Sequence, residues 1–497
     1  MSESRYEFGP RSQRGLMGGW QSSQLVVVAV GLAVAVEVLR MLPDAVGVVV
    51  GCAVASAAVA FARWPLGGRS LLQWSPAVLA WLAQRRAPVV VSRRPYAGTA
   101  VGGHGRAKGR TGHRTEQRSG FEGLHLFAAP PAPGRPRLGV VHDGRYRRYT
   151  AVVMVEAPGA MLGERAGRAR RSAGWGRLLA SLAAESDDVR RVQWIARRMP
   201  SALTTGPDTL TLPEEPTRRG QSYRALLEEW EDRSWAQQTL VALTVSERRA
   251  GRPVRGGGGV DLAACDLLAD RISALCMELE RAGLAPAWPL GPDALSETVL
   301  QAFSSEPELR ARAPFGPGGR RGADSPGWPW PTAIERRWSS LRTGGTWHAT
   351  YWVAEWPRSE VGPDFLTPLL FQRGARITMS TTLEPTPALR AARDVEQART
   401  AELAEAELRR RHGFVVSARR QREAAQTARL AAELADGHAQ FRFSGYVGVA
   451  AAARDELEVA CDGVERVAAQ AGLDLRRLYG QIDSGLACLL PLGRGLS

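Results

Sequence analysis

The chain has 497 residues, which is long enough for more than one folded unit. With 44% hydrophobic and 23% charged residues, its composition is typical of a protein with a packed core and excludes a wholly disordered chain. The formal net charge is +15, and the excess lies mainly at the start, because residues 1–120 contain 15 basic and 5 acidic residues.

The sequence carries no recognisable catalytic motif. Lys108 is the single lysine, and its neighbours Ala107 and Gly109 do not fit the pattern G-x-x-x-x-G-K-[ST], in which a lysine reaches nucleotide phosphates. G-x-S-x-G and H-E-x-x-H are absent, and the seven histidines and five cysteines lack metal-ligand spacing. We therefore expect no enzymatic activity, no cofactor and no metal site.

Two apolar runs, 25–42 and 45–62, lie near the N-terminus and are separated by Pro43 and Asp44. Each run makes about 27 Å of helix, close to the thickness of a hydrocarbon core of about 30 Å. The short turn brings the two helices back together, so the pattern predicts a transmembrane hairpin. The alternatives are a signal peptide and a buried hairpin of a soluble protein.

The charges around the two runs predict their orientation. Arginines precede the first run and follow the second, whereas the turn carries only Arg40 and Asp44. By the positive-inside rule both termini are cytoplasmic, which predicts a multi-pass protein of the cytoplasmic membrane. Trp20 and Trp64 are then expected as anchors at one membrane interface. Glu37 precedes Arg40 by three positions, which predicts an ion pair inside the membrane, with a proton or ion path as the alternative.

Residues 67–86 continue with apolar residues at helical spacing, among them Trp74 and Trp81. A helix at the cytoplasmic surface of the bilayer and a helix packed on a soluble domain both fit this pattern. Residues 1–91 are therefore assigned to one membrane unit, made of the hairpin and this interfacial helix.

Residues 92–120 form a basic linker that is rich in glycine and arginine and has no apolar periodicity. A basic segment beside a membrane attracts anionic lipid headgroups. Nucleic-acid binding is the alternative, although Tyr96 is the only aromatic residue of this segment that is available for base stacking. The sequence leaves open whether the linker binds lipid, DNA or neither.

Residues 121–497 mix strand and helix patterns, which predicts an α+β, or mixed α/β, cytoplasmic body. The strand patterns are rich in valine, threonine and aromatic residues and cover 149–156, 189–197, 238–246, 346–356, 375–383 and 441–450. The helical patterns cover 174–184, 223–231, 261–283 and 292–304. Gly283 stands where glycine commonly ends a helix, and His348 is expected to be half-buried on its strand.

A long helical hairpin is predicted over residues 387–437, which are rich in alanine, arginine and glutamate and are interrupted at His412-Gly413-Phe414. Charges of both signs stand three or four positions apart, as in helices with solvated faces. The two helices are either a solvated hairpin or an arm that docks a partner.

Two parts of the chain resemble known families. Phe8-Gly9-Pro10, the apolar hairpin, residues 65–69 and the segment with Trp74 and Trp81 resemble the small two-helix membrane subunit, of PrgI type, of conjugative type IV secretion systems. The body resembles the N-terminal, non-motor domain of VirB-type secretion ATPases. The matching segments run in the expected order and are 150–153, 174–179, 192–194, 354–357, 365–370, 441–446 and 490–495.

The resemblance implies a fusion of this membrane subunit with this docking domain, as in membrane proteins of streptomycete conjugative elements. In the ATPase family the Pro-Leu-Gly stretch leads into a RecA-like motor, whereas this chain stops at Ser497, so the motor is expected on another chain. The implied function is a non-catalytic structural subunit that joins a membrane channel to an ATPase in trans. Other channel subunits and further copies of the chain are the other expected partners. The alternatives are a membrane-tethered enzyme or degenerate ATPase, and a membrane-tethered DNA-binding protein.

Overall fold

The structure is a computed structural model of a chain that mixes helix and strand. It has two apolar N-terminal helices and a large antiparallel sheet, which confirms the predicted mixed fold class. The described residues are 22–63, 65–66, 69–84, 89–91, 120–121, 123–130, 134, 137–156, 165–184, 188–200, 235–247, 259–284, 286–304, 330–331, 333–357, 359–362, 364–372, 374–412, 418–436 and 438–495. The predicted helix at 223–231 and the linker up to residue 119 lie outside them.

The helices of the described residues are α1 (Ser22–Met41), α2 (Ala45–Arg63), α3 (Leu71–Gln84), α4 (Arg165–Ala184), α5 (Gly259–Arg281), α6 (Pro292–Phe303), α7 (Thr367–Leu370), α8 (Ala388–His412), α9 (Ala418–Ala435), α10 (Arg454–Gln470) and α11 (Ile482–Leu489). Helix α5 ends as the sequence predicts, because Gly283 adopts a φ of 75°. The amide of Leu284 then donates to the carbonyl of Leu279 at 2.9 Å and completes a Schellman cap.

The strands are β1 (Pro65–Leu66), β2 (Arg69–Ser70), β3 (Val89–Val91), β4 (Leu124–Ala128), β5 (Gly139–Asp143), β6 (Arg148–Val155), β7 (Val189–Pro200), β8 (Trp235–Ser246), β9 (Ala287–Pro289), β10 (Ala333–Arg336), β11 (Leu341–Thr343), β12 (Thr346–Glu355), β13 (Arg376–Pro385), β14 (Phe441–Ala451) and β15 (Asp474–Arg477). All six strands predicted from the sequence are present, with ends shifted by a few residues.

Within the described residues one antiparallel sheet contains 13 strands, in the order β3-β10-β11-β12-β14-β13-β7-β8-β6-β5-β4, with β15 beside β12 and β9 beside β6. Strand β3 comes from the segment assigned to the membrane unit. It pairs antiparallel with β10, and Val91 lies opposite Ala333. The polypeptide that follows the two apolar helices therefore forms an edge of the sheet of the body.

One face of the sheet is covered by α4, α5 and α10. On β6, Ala151 and Val153 are buried in one apolar cluster with Leu268 of α5. On β13, Met379 is buried in a second cluster with Val464 of α10. Because side chains alternate along a strand, every second residue of the central strands contributes to this core.

The opposite face is covered by α6, α11 and the residues after α11. Val152 and Leu240 pack there in one buried cluster with Leu295 of α6 and Leu486 of α11. This face also carries polar side chains, because the alternate residues of β13 are Arg376, Thr378, Ser380, Thr382 and Glu384. The sheet is thus apolar on one face and partly polar, although buried, on the other.

Candidate functional site

Helices α1 and α2 pack against each other through small residues. A side chain at Gly31 would collide with Cβ of Ala58, and one at Gly51 would lie 2.8 Å from Cδ1 of Leu39. The side-chain amide of Gln24 donates to the carbonyl of Ala62 at 3.0 Å and joins the start of α1 to the end of α2. Close approach through glycine and alanine is the usual way in which membrane helices pack.

The outer surface of this helix pair is apolar and exposed. Val26, Val30 and Val49 are 61%, 58% and 68% exposed. The windows Gln24–Met41 and Ala45–Ala62 are long and apolar enough to cross a membrane. Such a surface is unusual for a soluble monomer, in which large contiguous apolar patches are rare.

The ion pair predicted for the hairpin, between Glu37 and Arg40, is present near the turn. Nη1 of Arg40 lies 3.6 Å from Oε2 of Glu37, and both side chains are more than half exposed. Trp20 and Trp64, predicted as interface anchors, lie outside the described residues.

Helix α3 packs on the body through an aromatic cluster made of Trp74, Trp81, Trp338 and Tyr479. The ring of Trp338 lies 5.2 Å from that of Trp81 and 6.0 Å from that of Trp74, between ring centroids. Tyr479 lies 5.8 Å from Trp74 and 5.9 Å from Trp338. Helix α3 thus packs on the body, which is one of the two positions that the sequence left open for it. The two apolar helices are therefore attached to the sheet both by α3 and by β3.

The C-terminal segment, residues 490–495, lies on the polar face of the sheet. The side chain of Gln193 on β7 holds it, because its Nε2 lies 2.9 Å from the carbonyls of Cys488 and Leu490. Its Oε1 accepts a hydrogen bond from the amide of Gly493 at 2.8 Å. Gln193 has no exposed surface, so these bonds form in a water-excluded interior.

Further side chains of the sheet bind the same segment. Arg191 donates to the carbonyl of Gly493 at 3.1 Å, and Thr382 donates to that of Arg494 at 2.7 Å. The hydroxyl of Tyr446 donates to the carbonyl of Gly495 at 2.6 Å. Side chains from β7, β13 and β14 thus replace the strand partner that this segment lacks.

A small cavity of about 30 Å³ lies beside this segment, where β7, β12, β13 and β14 face α6 and α11. Two arginines line it and are almost fully buried: Arg197 is 3% exposed and Arg376 is 6% exposed. Burial lowers the pKa of Arg197 to about 9 and that of Arg376 to about 10, so both remain charged at neutral pH. Neither guanidinium forms an ion pair with a carboxylate of the described residues.

The two arginines differ in how completely they are hydrogen-bonded. Arg197 donates to Oε1 of Gln238, to the carbonyl of Thr298 at 2.8 Å and to Oε1 of Gln301 at 3.2 Å. Arg376 uses Nη1 alone, toward the carbonyls of Gln301 at 2.6 Å and Ser304 at 2.8 Å. Its Nε and Nη2 are buried without an acceptor among the described residues.

His348 lines the same cavity and is neutral. Burial, assisted by the charge of Arg376, lowers its pKa to about 3. Its Nε2 lies 2.7 Å from the hydroxyl of Thr343, and that hydroxyl donates to the carbonyl of Phe303 at 2.7 Å. The hydroxyl therefore accepts a hydrogen bond from the Nε2–H group of His348. His348 is 2% exposed, so the prediction of a half-buried side chain was wrong.

The described residues contain no group of three His, Cys, Asp or Glu side chains that could hold a metal ion. The buried arginines and Gln193 were missed by sequence reasoning, which searched for known catalytic spacings. A usable signal exists in β13, where polar residues occupy every second position of a strand that pairs on both edges. In a central strand this pattern predicts a buried polar face that binds another segment.

Neither a protein-family model nor a curated protein matches the chain. The segments that carry the resemblance lie at structurally different places. Residues 174–179 are in α4, residues 354–357 span the end of β12, and residues 441–446 begin β14. Residues 490–495 form the C-terminal segment on the polar face of the sheet.

Proposed function

We propose that the chain is a membrane-anchored, non-catalytic structural subunit of a type IV secretion-like conjugation apparatus, which docks a separate motor ATPase to the membrane channel. The observation that carries the proposal is the exposed apolar pair α1–α2, attached to a large folded body by the aromatic cluster and by β3. Lipid is the environment that lowers the free energy of such a helix pair. Because the attachment is a packed one, the body is held close to the membrane surface.

The proposed location is the cytoplasmic membrane, with two passes and both termini in the cytoplasm. The distribution of arginine supports this topology, since it is dense on both sides of the hairpin and sparse at its turn. The basic linker would add attraction to anionic lipid headgroups. Direct contact with nucleic acid is a separate hypothesis, for which the linker is the candidate.

The proposed docking element for the motor ATPase, or for other channel subunits, is a helical arm formed by α8 and α9. The two helices pack on each other, with Ala391 and Val395 of α8 buried. Leu389 and Leu403 on α8 are 77% and 70% exposed. Exposed leucines on a charged helix are suited to an interface with another subunit or with a second copy of the chain.

A structural role is favoured over catalysis by the chemistry that the chain offers. These 497 residues contain no lysine in a P-loop pattern. Gln193 and Thr382, two buried polar residues of the sheet, are engaged in holding the chain's own segment 490–495. Purified full-length protein is therefore expected to bind no ATP saturably, and saturable binding would favour the enzyme alternative.

A flotation experiment tests the anchor. Full-length protein should float with liposomes of mixed neutral and anionic lipid, and the double variant Val30→Arg, Val49→Arg should stay in the dense fraction. An arginine at the centre of a membrane helix, as at position 30 of α1, adds about 3 kcal/mol to the cost of insertion, and the second arginine, nearer the start of α2, adds further cost. The matched control, Leu389→Arg with Leu403→Arg, changes exposed residues of α8 in the same way and should still float. Equal flotation of both double variants would refute the hairpin as the anchor.

The docking role is tested by purification from detergent-solubilised membranes. An ATPase with a P-loop should co-purify with the full-length chain and should be lost with the Leu389→Arg, Leu403→Arg variant. If the ATPase is retained by this variant, the arm is not the docking element. If none co-purifies with either protein, the secretion proposal itself fails.

A further inference from the structure

We propose that a basic rim at one end of the large sheet binds single-stranded nucleic acid. The rim consists of the turn between β5 and β6 and of the neighbouring ends of β6, β7, β13 and β14. Phosphate groups contact Arg145, Arg148 and Arg442, and one base stacks beside Tyr146. This site is separate from the basic linker, and it is independent of the membrane anchor and of the docking role.

The turn between β5 and β6 is held in one shape by hydrogen bonds. Oδ1 of Asp143 accepts from the amides of Arg145 at 3.1 Å and Tyr146 at 3.3 Å. The side chain of Arg147 donates to both carboxylate oxygens of Glu247, at 2.8 and 2.9 Å, and its carbonyl accepts from the amide of Glu247 at 3.0 Å. A turn fixed in this way presents Arg145 and Tyr146 to solvent and has little conformational entropy to lose on binding.

Strand pairing brings further arginines to the same end of the sheet. The registers from β6 through β8, β7 and β13 to β14 place Arg148, Arg191 and Arg442 on one face, because opposite residues point the same way. Four strand spacings separate β6 from β14, which is about 19 Å at about 4.8 Å each. A row of charges of this length exceeds the size of one phosphate or carboxylate and is suited to a polyanion.

The acidic residues of the rim are already engaged by other arginines. Glu384 contacts both Arg190 and Arg191, so one carboxylate serves two guanidinium groups. Asp143 forms an ion pair with Arg494 at 2.7 Å. These contacts leave no carboxylate of the rim for its remaining arginines.

Three arginines of the rim have no carboxylate partner among the described residues, namely Arg145, Arg148 and Arg442. Arg145 and Arg442 are exposed and Arg148 is half-buried. Burial, together with the nearby charge of Arg190, lowers the pKa of Arg148. Uncompensated positive charges held in a row attract nucleic acid, because their contacts with phosphates release its condensed counterions.

Tyr146 favours single-stranded nucleic acid over an acidic peptide or a duplex. It is 46% exposed, and the guanidinium carbons of Arg145, Arg148 and Arg494 lie 5.6, 5.4 and 5.5 Å from the centre of its ring. Aromatic rings and arginines beside a basic surface are the groups on which unpaired bases stack. An acidic peptide would use the charges but not the ring, and a duplex keeps its bases inside.

Fluorescence anisotropy tests the proposal on the full-length chain in nanodiscs of neutral lipid. The probe is a labelled oligothymidylate of about twelve nucleotides, a length within the usual range of site sizes. It should bind, and its affinity should fall as the salt concentration rises. Duplex DNA of the same length and polyglutamate should each compete at least about tenfold more weakly than unlabelled oligothymidylate. Absence of binding, or equal competition by duplex or polyglutamate, would overturn the proposal.

Two double variants distinguish the rim from other basic parts of the chain. Arg145→Gln with Arg148→Gln should weaken binding at least about tenfold. The slope of log affinity against log salt should also become shallower by about 1.4, since each phosphate contact contributes about 0.7 for a single strand. The matched control, Arg281→Gln with Arg429→Gln, removes the same charge from exposed positions of α5 and α9 and should keep the wild-type affinity. Wild-type affinity and slope in the first double variant would refute the assignment to the rim.

A substitution of Tyr146 separates stacking from charge. Tyr146→Ala leaves the arginines in place and should weaken binding by about five- to a hundredfold, the range measured for the loss of one stacked base. Tyr146→Phe keeps a ring and should bind like the wild type. This pair of variants decides the matter if the double arginine variant does not fold. Equal binding by Tyr146→Ala and Tyr146→Phe would refute the stacked base and, with it, the choice of single-stranded nucleic acid.

Discussion

The guanidinium of Arg494 donates through Nε to Oδ2 of Asp143 at 2.7 Å, although 351 residues separate the two. Both residues are buried, with 9% and 3% exposure. Asp143 also accepts from the amide of Arg145 at 3.1 Å, and Arg494 donates to the carbonyl of Gly120. This ion pair therefore connects the last described residues to the first strands of the body.

Removal of the negative charge of Asp143 is expected to destabilise the body strongly. In Asp143→Asn the side chain keeps its shape, but buried Arg494 loses the carboxylate that its Nε contacts at 2.7 Å. Breaking a buried pair in this way costs about 3–5 kcal/mol. The free energy of unfolding, measured with denaturant in detergent, should fall by this amount. The control Glu247→Gln breaks the more exposed pair with Arg147 and should lose much less. Similar losses in both variants would contradict this account of the Arg494 pair.

Gly493→Ala is expected to loosen the C-terminal segment. Gly493 has a φ of 64°, and a Cβ there would collide with the hydroxyl of Thr244. The matched control is Gly374→Ala, because Gly374 has a φ of 91° but has nothing within 4 Å of its Cβ position. Both variants bear the conformational strain, whereas overpacking adds about 1–3 kcal/mol for Gly493 alone. Denaturant unfolding should reveal this difference, and equal losses would argue against close packing of the segment.

Trp338→Ala is expected to release α3 from the body. The substitution removes the ring that contacts Trp74 and Trp81, so the amide groups of α3 should exchange with deuterium at least about tenfold faster. The control Trp288→Ala removes a tryptophan on β9, outside the aromatic cluster, that is 39% exposed, and it should leave exchange in α3 unchanged. Unchanged exchange in Trp338→Ala would indicate that the contacts of Trp338 do not hold α3 on the body.

The stability of the protein should depend on pH through His348. Its pKa is about 3 in the folded chain and about 6.5 when unfolded, so below pH 6.5 the unfolded state takes up a proton that the folded state does not. This contribution lowers the free energy of unfolding by about 1.4 kcal/mol per pH unit as the pH falls from about 6.5 toward 3. In His348→Gln that contribution is absent. The difference between the two proteins should therefore change over this range, and parallel pH profiles would contradict the neutral, buried imidazole.

Elements with strong local patterns were predictable from the sequence. The apolar runs predicted α1 and α2, and period-two patterns rich in valine and threonine predicted β6, β8 and β14. Gly283 was predictable as the end of α5, because a helix that ends with a left-handed residue favours glycine. These signals depend on residues within a few positions of each other, so they can be recognised without knowledge of the tertiary fold.

The candidate site was not predictable, because it depends on contacts between distant parts of the chain. The sequence could not choose the surface on which α3 lies, since its aromatic partners Trp338 and Tyr479 come from far along the chain. His348 was misjudged for a similar reason. Strand alternation gives the face on which a side chain lies, but the depth of burial is set by α6 and α11, which cover that face.

The pairing of β3 with β10 has a consequence for biosynthesis. The ribosome makes Val91 roughly 240 residues before its partner Ala333. At about 5–20 residues per second, β3 waits about 10–50 s before its partner exists. During that interval the nascent strand has an unpaired edge next to two apolar helices. If those helices enter lipid as they emerge, each nascent chain is held at the membrane. The unpaired β3 strands of neighbouring nascent chains are then less able to pair with each other and aggregate.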